Sequence, residues 1–432
     1  MSESDGNTSH RTHESAAPRL PLGEGASSAS AALTDSPRLL HPLDPLAGVL
    51  GVFVCGLLAF LTLYATQPLL PMFEILFHAS KSAVGWTVSA STLGVAIAAP
   101  LLGTFTERMN RKRVILVSIL LLAVPTCAAA TSTSLGWLVF WRLLQGLITP
   151  GVFATTIAYI TEAWPPTAVA PVMSIYVSGT ALGGFSGRAI TGFMTDHAGW
   201  RASFLLLGVM SVAGAALVAW LLPDRPLQYR ADLRPPLRRV FLPMLAHLRS
   251  PRLLTTYLVG FNVLFSLVGV FTYITFYLAA PPFSLSTAKL SLLFVVYLVG
   301  LVATPLAGAL LPRVGLRAGI TGSILLSLAG VLLTLLQSLP VVVAGLALCC
   351  TGVFISQSCA TSFLREAAPE SSRASAVGMY VACYYIGGTV AGVAPSLMWK
   401  LGGWTACAVM VAVVDVVSIV IARRGWRDFV TA

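Results

Sequence analysis

The chain alternates between long apolar segments and short polar connections. From Leu46 onward, apolar runs of about 20 residues recur, and each is long enough to cross a hydrocarbon core of about 30 Å as a helix. Membrane strands would appear instead as short segments of alternating polarity that close into a barrel. The pattern therefore predicts an all-α polytopic membrane protein with twelve transmembrane helices. The predicted spans are 46–73, 83–103, 113–132, 136–160, 169–192, 201–222, 252–279, 287–309, 318–338, 340–364, 374–399 and 404–422.

The polar segments divide the chain into five parts. Residues 1–44 are rich in Ser, Ala, Pro, Gly and His and have no apolar period, which predicts a disordered cytoplasmic tail. The longest polar connection, 223–251, is predicted to be a cytoplasmic linker between an N-terminal six-helix bundle (45–222) and a C-terminal six-helix bundle (252–422). Residues 423–432 are expected to form a cytoplasmic C-terminal tail.

The two predicted bundles repeat each other in sequence. A shift of 204 residues places Gly183-Gly184 on Gly387-Gly388, and the same shift places Gly199-Trp200 on Gly403-Trp404. Matches at one constant spacing predict two pseudo-symmetric halves. Transporters built from such repeats hold their binding site at the membrane midplane between the halves.

Composition and charge agree with this architecture. Of all residues, 56% are hydrophobic and 10% are charged, whereas soluble domains carry about 25% charged residues. This composition argues against soluble enzymes and nucleic-acid-binding proteins. With the N-terminus inside, the predicted cytoplasmic segments hold 21 of the 27 Lys and Arg residues and the outer loops hold 4. The net charge of +11 is therefore mostly an orientation signal, and it predicts that both termini lie in the cytoplasm. The expected location of the protein is the bacterial cytoplasmic (inner) membrane.

The sequence offers no metal site and no enzyme motif. Its seven cysteines lie in apolar stretches without the spacing of zinc ligands. It contains no H-E-x-x-H, no G-x-S-x-G with partner residues and no pair of acids within the membrane. We therefore expect no metal, no cofactor and no catalytic residue, and an integral-membrane enzyme is a remote alternative.

The connection after the second predicted span is rich in charge. It reads Gly103-Thr-Phe-Thr-Glu107-Arg108-Met-Asn110-Arg111-Lys112-Arg113. This resembles G-x-x-x-D-R-x-G-R-[KR], the signature of the major facilitator superfamily, with Glu107 for Asp and Asn110 for Gly. Asn is expected to adopt the left-handed turn that Gly favours there. The resemblance implies the major facilitator fold, and in the family this loop latches the two halves in one conformation, besides enforcing topology. The implied latch residues are Gly103, Glu107, Arg108, Asn110, Arg111 and Lys112.

The fourth predicted span carries Arg142 and Gln145, one helical turn apart. An arginine about 9 Å inside a membrane helix is costly and points to a function, although snorkelling to the outer interface is an alternative. The segment resembles R-x-x-Q-G of proton-driven superfamily members, which implies a part in proton coupling. The aligned second-half positions are apolar, Leu346 and Cys349. Asp415, midway along the twelfth span, is a second candidate for proton coupling, and a packing role is its alternative.

The fifth predicted span carries glycines whose spacing lets a neighbouring helix approach closely. They are Gly179, Gly183, Gly184 and Gly187. The segment resembles the antiporter motif G-x-x-x-G-P-x-x-G-G, with Gly184 for Pro and Arg188 for Gly. Together with Tyr64-x-x-Gln67-Pro68 and Ala280-Pro281-Pro282, it is similar to the superfamily branch associated with acriflavine sensitivity. That resemblance implies proton-coupled efflux.

Polar and aromatic side chains on the spans that line the cavity in relatives mark a candidate substrate site. Such a pocket suits an amphipathic ligand, although tyrosines are also common at membrane interfaces. A buried cation needs a counter-charge, and the predicted cavity offers two arginines and no central carboxylate. We therefore expect a substrate that is neutral or anionic at the site. The candidates are Tyr64, Gln67, Arg142, Arg188, Asn262, Tyr273, Tyr277, Gln357, Tyr380 and Tyr384.

These features predict a secondary active transporter that works by alternating access. The leading hypothesis is export of a small amphipathic molecule against proton entry, with the proton gradient as the energy source. The alternative is proton-coupled uptake or exchange of an organic anion or a sugar through the same residues. The expected partners are the lipid bilayer, a small-molecule substrate and protons. No nucleic acid is expected, and the chain is expected to act as a monomer.

Overall fold

Helices make up all the regular structure in the part of the chain that the computed structural model describes, which is residues 44–105, 109–224, 244 and 246–426. Ten of these helices are long and apolar enough to cross a membrane. The predicted all-α polytopic fold is therefore confirmed. The predicted tail before residue 44, most of the predicted linker and residues 427–432 lie outside the described residues.

The helices follow one another with short connections. Two 3₁₀ helices interrupt crossings, at Gln67–Leu69 in the first and at Leu293–Val299 in the eighth. The α-helices are α1 (Asp44–Leu61), α2 (Leu70–Leu76), α3 (Lys81–Phe105), α4 (Arg111–Ala129), α5 (Leu135–Ala163), α6 (Pro166–Leu221), α7 (Pro251–Ala279), α8 (Thr287–Leu292), α9 (Gly300–Val314), α10 (Leu316–Leu333), α11 (Leu339–Ala367), α12 (Arg373–Val393) and α13 (Pro395–Gly425).

Two of the long helices contain a sharp break at a glycine. α6 has 56 residues, far more than one crossing needs, and it bends at Gly199 with φ +82°. α13 bends at Gly403 with φ +58°. Only glycine adopts this backbone region without a steric cost. With α1 and α2 taken as one interrupted crossing, α8 and α9 as another, and α6 as two, the described residues contain twelve crossings.

The sequence repeat reappears in the helix contacts. Gly183 on α6 approaches α1 so closely that an added Cβ would overlap the carbonyl oxygen of Leu57. Gly387 on α12 approaches α7 in the same way, against the carbonyl oxygen of Phe261. Gly387 lies 204 residues after Gly183, and Phe261 lies 204 residues after Leu57. The two halves therefore use equivalent glycines for equivalent close contacts, as expected for pseudo-symmetric bundles.

Two prolines interrupt the first crossing. Pro68 and Pro71 lack a backbone N–H, so a regular α-helix cannot run through this segment. α1 ends at Leu61, residues 62–66 form turns, and the 3₁₀ helix Gln67–Leu69 follows. The interruption frees backbone carbonyls in the protein interior from the regular helical pattern, so that side chains of neighbouring helices can bond to them.

Helices from opposite sides of the segment 225–243 pack against each other. α3 lies against α12, where the Ser89 hydroxyl donates to the Thr389 carbonyl at 2.6 Å. The hydroxyls of Thr92 and Thr389 are 3.1 Å apart. Further along the same pair of helices, Gly85 approaches the backbone of Gly392. Small residues thus let the two halves make direct backbone contact.

We expect Gly183→Ala to destabilise the protein, because the new methyl group would displace α1 from α6. Overpacking of this kind costs about 1–3 kcal/mol. The control is Gly308→Ala on α9, where an added Cβ meets no atom within 4 Å. The thermal unfolding midpoint of the purified protein in detergent should fall for Gly183→Ala and stay unchanged or rise slightly for Gly308→Ala. Equal midpoints for both variants would contradict the close packing of α6 on α1.

Candidate functional site

Arg142 on α5 is completely buried and directs all its donors at neutral acceptors. Nε donates to the Thr87 carbonyl at 2.9 Å, and Nη2 donates to the Ser91 hydroxyl at 2.9 Å. Nη1 and Nη2 also reach the broken segment of the first crossing and the neighbouring Gln145. Nη1 donates to the Thr62 carbonyl at 2.7 Å and to Gln145 Oε1 at 2.5 Å, and Nη2 donates to the Leu63 carbonyl.

The guanidinium of Arg142 thereby caps the C-terminal end of α1. A cation at this position is favourable because the carbonyls at a helix C-terminus carry partial negative charge. Thr191 on α6 assists by donating to the Ala65 carbonyl at 2.8 Å. The carbonyls freed by the proline interruption are therefore bonded to side chains of α5 and α6.

Gln145 connects a third helix to this cluster. Its Oε1 accepts from Arg142, and its Nε2 donates to the Thr126 hydroxyl on α4 at 2.9 Å. Arg142 and Gln145 thus lie together, one turn apart, as their spacing predicts. They face the interior of the bundle, so the alternative of snorkelling to the outer interface does not apply to the buried Arg142.

Arg188 on α6 lies in a cage of three aromatic rings. Its Cζ is 4.8 Å from the ring centre of Tyr64, 4.7 Å from Phe294 and 4.5 Å from Tyr297. Each distance is within the range of a cation–π interaction. Tyr64 belongs to the broken first crossing, whereas Phe294 and Tyr297 lie on the 3₁₀ helix of the eighth. The cage therefore joins the two halves of the molecule around one positive charge.

The polar partners of Arg188 are neutral. Nε donates to Gln67 Oε1 at 2.8 Å, and Nη1 donates to the Gly184 carbonyl at 2.5 Å. Gln67 in turn donates to the Thr272 hydroxyl on α7 at 3.1 Å. Among the described residues, Nη2 has no hydrogen-bond partner, and no carboxylate forms an ion pair with Arg188 or Arg142. The first half therefore holds two buried positive charges that only neutral groups surround.

A second aromatic cluster lies on α11 and α12. The Tyr380 hydroxyl donates to Gln357 Oε1 at 3.0 Å. The rings of Tyr380 and Tyr384 are stacked with centres 6.1 Å apart. Tyr385 extends the cluster, since its ring stacks on Phe153 of α5 at 6.4 Å. This cluster also bridges helices of both halves.

The other predicted cavity residues have partners elsewhere. Asn262 donates to the Ser418 hydroxyl on α13 at 2.8 Å. The Tyr273 hydroxyl donates to the Gly392 carbonyl at 3.0 Å, and Tyr277 stacks on Trp404 at 6.2 Å. Of the ten predicted residues, the structure therefore groups Tyr64, Gln67 and Arg188 in one place, and Gln357, Tyr380 and Tyr384 in another.

Several contacts of the site escaped the sequence analysis. Phe294 and Tyr297 lie in a continuous apolar run, where their i,i+3 spacing places them on one helix face without distinguishing them from the apolar residues around them. In a 3₁₀ helix, with three residues per turn, the two rings lie one above the other. Ser91 and Thr272, which bond to Arg142 and Gln67, resemble ordinary small polar residues of membrane helices.

The glycines of α6 lie between α1 and Arg188. Gly179, Gly183 and Gly187 face α1, where an added Cβ at each position would overlap a carbonyl oxygen of that helix. Gly184 faces the other way, and a Cβ added there would lie 3.3 Å from Arg188 Nη1. The glycine-rich segment thus serves helix contact on one face and leaves room for the guanidinium on the other.

The predicted left-handed conformation of Asn110 is wrong. Its φ is −58°, and its side-chain oxygen accepts from the backbone N–H of Arg113 at 3.2 Å, so that Asn110 is the N-cap of α4. A capping side chain satisfies an N–H that the helix leaves unbonded, which favours Asn here over the family's Gly. In the second half, Gly315 does take φ +83° before α10.

The rest of the charged loop makes contacts within the first half. Arg111 binds the Glu162 carboxylate at the end of α5 through Nη2 at 2.8 Å and through Nε. Asn110 Nδ2 donates to Asp224, which follows α6, at 2.8 Å. Lys112 lies in the first turn of α4 and Gly103 lies near the end of α3. Of the other predicted latch residues, Glu107 and Arg108 lie outside the described residues.

The opposite end of α3 carries a contact between the two halves. Lys81 pairs with Glu74 on α2 at 2.5 Å. Its ammonium also lies 5.1 Å from the ring centre of Phe276 on α7 and 5.3 Å from that of Trp399 on α13. Nearby, Asp196 accepts from the Ala288 N–H at the start of α8, at 3.0 Å. These contacts join residues of the two halves.

The sequence matches a known protein family over most of its length. The family model of the Major Facilitator Superfamily matches residues 52–392 and 280–426. The chain belongs to the Major Facilitator Superfamily. It is therefore a multi-pass membrane transporter rather than an enzyme, and transporters of this superfamily generally need no cofactor.

Relatives and solved structures agree with the family. The chain is 31% identical to the inner membrane transport protein YnfM of Escherichia coli (strain K12), over 88% of this chain and 90% of that protein. It is 29% identical to the uncharacterized MFS-type transporter YybF of Bacillus subtilis (strain 168), over 85% and 90% of the two chains. The crystal structure of a mutant of the nucleoside transporter NupG matches with a TM-score of 0.74 at 13% identity, over 88% and 100% of the two chains, and shows the shared fold.

We expect Arg142→Lys to lower the stability of the protein. A lysine has the charge but not the planar fork, so it leaves buried carbonyls of the first crossing unbonded, at about 1–3 kcal/mol for each unsatisfied group. The matched control is Arg201→Lys, since Arg201 is exposed and such a change is worth about 0.5 kcal/mol or less. Thermal unfolding in detergent measures both. An unfolding midpoint that Arg142→Lys leaves unchanged would contradict the capping role.

Proposed function

We propose that this chain is a secondary active transporter of the bacterial inner membrane that exports a small amphipathic anion against proton entry. The observation that carries the proposal is the charge of Arg188, which is buried in an aromatic cage between the two halves and has no carboxylate partner among the described residues. The similarity to an inner membrane transport protein of Escherichia coli supports the inner-membrane assignment, and the distribution of Lys and Arg favours cytoplasmic termini.

The environment of Arg188 favours an anionic substrate. A charge taken out of water needs a partner of opposite sign, and Nη2 has no hydrogen-bond partner among the described residues. The surrounding rings of Tyr64, Phe294 and Tyr297 offer apolar surface beside that donor. A ligand with a carboxylate or similar group and a flat apolar body fits both features. A lipophilic cation would meet repulsion at the same place.

Alternating access requires contacts that break on one side of the membrane while others form. In the proposed topology the Lys81 end of α3 faces the outside, and its contacts with Phe276 and Trp399 close the outer entrance. The loop from Gly103 to Lys112 would lie on the cytoplasmic side and stabilise one facing state, with Arg111 held by Glu162. Contacts of this kind can bias the equilibrium between the two facing states, because a free-energy difference of about 1.4 kcal/mol changes the ratio of their populations tenfold.

Coupling to protons would involve Arg142, Gln145 and Asp415. Arg142 and Gln145 join the interrupted first crossing to α3, α4 and α5, so they are placed to transmit a change at the substrate site. Asp415 supplies the carboxylate that a carried proton needs, deep in the last crossing. The antiporter-like glycines and the Tyr64-to-Pro68 motif, through their resemblance to the efflux branch, favour export.

The second candidate function is proton-coupled uptake or exchange of an organic anion or a sugar. It uses the same residues, because the charge of Arg188 suits an anion whichever way it moves. The direction of substrate movement under an imposed pH gradient separates this candidate from export.

We expect Arg188→Gln to weaken substrate binding selectively. Proteoliposomes with a pH-sensitive dye inside are given organic acids, sugars and lipophilic cations in turn. Organic acids should evoke proton flux in the wild type, and Arg188→Gln should raise their KM by about tenfold to a hundredfold, since a hydrogen bond to a charged group is worth about 1.5–3 kcal/mol.

The matched control for that assay is Arg201→Gln, which removes an exposed arginine and should leave the flux unchanged. Flux evoked by cations and kept in Arg188→Gln would refute the anionic substrate. Silence towards every compound, in protein shown to be folded, would refute proton-coupled export of this substrate class.

We expect Asp415→Asn to uncouple transport from protons. The amide cannot take up and release a proton, so substrate-evoked proton flux should disappear. Exchange of labelled for unlabelled substrate across the membrane needs no net proton movement and should persist. Proton flux that survives in Asp415→Asn would refute this role of Asp415, and Arg142→Ala in the same assay then tests the other coupling residue.

A further inference from the structure

A buried carboxylate lies among hydroxyl groups inside the second half of the molecule. Asp415 on α13 is 5% exposed. Its Oδ1 accepts from Ser266 on α7 at 2.7 Å, and its Oδ2 accepts from Ser327 on α10 at 3.2 Å. These two hydrogen bonds connect three helices through one side chain.

Two further serines complete the group. Ser356 on α11 lies 2.8 Å from Ser323 between their hydroxyl oxygens. Ser418 lies one turn beyond Asp415 and accepts from Asn262 at 2.8 Å. A small cavity of about 10 Å³ lies between these side chains, close to the volume that a single water molecule occupies. Its lining consists of Ser266, Ser327, Ser356, Asp415 and Ser418, with Val263, Ile324 and Val353 as apolar walls.

The charge of Asp415 is not paired with a basic residue in the described part of the chain. Among the described residues, no lysine, arginine or histidine forms an ion pair with it. The nearest basic residue along α13 is Arg423, eight positions away, and that side chain reaches Thr321 instead. An unpaired carboxylate inside a protein is strongly unfavourable. A small cation in the adjoining cavity would remove that cost.

The donor atoms select the kind of cation. The cavity presents one carboxylate and hydroxyl oxygens, which are ligands of hard cations. The part of the chain that the structure describes has no group of three His, Cys, Asp or Glu side chains that could hold a transition metal. A single carboxylate balances a single positive charge, and the cavity accepts an ion of about the size of one water molecule.

We propose that Asp415 and the hydroxyls of Ser266, Ser327, Ser356 and Ser418 form a binding site for a sodium ion. Each serine hydroxyl that now donates to the carboxylate or to a neighbour can turn a lone pair towards the ion. The ligands come from α7, α10, α11 and α13, so that occupancy is linked to the packing of four helices.

This inference deepens the proposed function and depends on it only for the consequence of binding. The carboxylate that would carry the proton would instead hold Na⁺, so the two ions would compete for one site and either could drive transport. Sodium binding itself can be measured in detergent, where no transport occurs.

The test is equilibrium binding of radiolabelled Na⁺ to the purified full-length chain in choline chloride. We expect one saturable site per chain, from which excess unlabelled Na⁺ displaces the label. Asp415→Asn should abolish binding. Ser327→Ala and Ser266→Ala should weaken it about tenfold or more, the scale on which partners of metal ligands act.

The matched controls change the same residue types elsewhere. Asp196→Asn removes a carboxylate that binds the N-terminus of α8, and Ser211→Ala removes a buried hydroxyl that bonds only within α6. Both should leave Na⁺ binding unchanged. Absence of saturable Na⁺ binding in folded wild-type protein would overturn the proposal, as would binding that survives in Asp415→Asn. If Asp415→Asn does not fold, Ser266→Ala and Ser327→Ala test the sodium site instead. Unchanged affinity for Na⁺ in both variants would overturn the proposal.

The sodium site and the proposed transport function can be refuted independently of each other. No Na⁺ binding together with substrate-evoked proton flux would refute the sodium site and leave the transport function. Saturable Na⁺ binding without flux towards any compound would refute the proposed transport and leave the site.

Discussion

The broken first crossing, held by the buried guanidinium of Arg142, is the constraint on which the centre of the molecule depends. Two prolines end α1 inside the protein, and the freed carbonyls must find donors because no water is available in the membrane interior. Arg142 supplies several donors from one rigid group and bonds to α3 and Gln145 as well. The break then presents Tyr64 and Gln67 to Arg188, so that capping by one arginine prepares the site of the other.

The two halves share a backbone plan but differ in charge. Equivalent glycines make equivalent contacts in both, at Gly183 and Gly387, and equivalent breaks occur at Gly199 and Gly403. Within the part of the chain that the structure describes, however, the first half contains two buried arginines that form no ion pair with an acid, and the second contains one buried acid that forms no ion pair with a basic residue. A pseudo-symmetric scaffold thus holds a cationic environment on one side and an anionic one on the other. Such a division suits a carrier that must bind an anion and a cation in the same cycle.

Some contacts of the candidate site could be predicted from the sequence, and others could not. The pairing of Arg142 with Gln145 follows from their spacing along one helix, and the close contact at Gly183 follows from the glycine period. Asn110 was misjudged because the sequence shows a substitution for Gly without showing that its side chain caps α4. The predicted cavity residues divide into separate groups, because position along a span does not reveal which neighbour a side chain meets. The cage rings Phe294 and Tyr297 were not predicted because they lie in a continuous apolar run, where the sequence does not distinguish them from their neighbours.

The sequence by itself determined the membrane class, the number of crossings, the repeat and the superfamily. Each of these is a property of hydrophobic length, of charge asymmetry or of local motifs, and each can be recognised without knowing any distance. Only the tertiary structure decided which polar groups meet: that Arg188 is enclosed by rings of two crossings, that Arg142 caps a helix, and that Asp415 faces four serines around a cavity. Those contacts join residues up to about two hundred positions apart, and their geometry depends on helix breaks and packing that no single segment encodes.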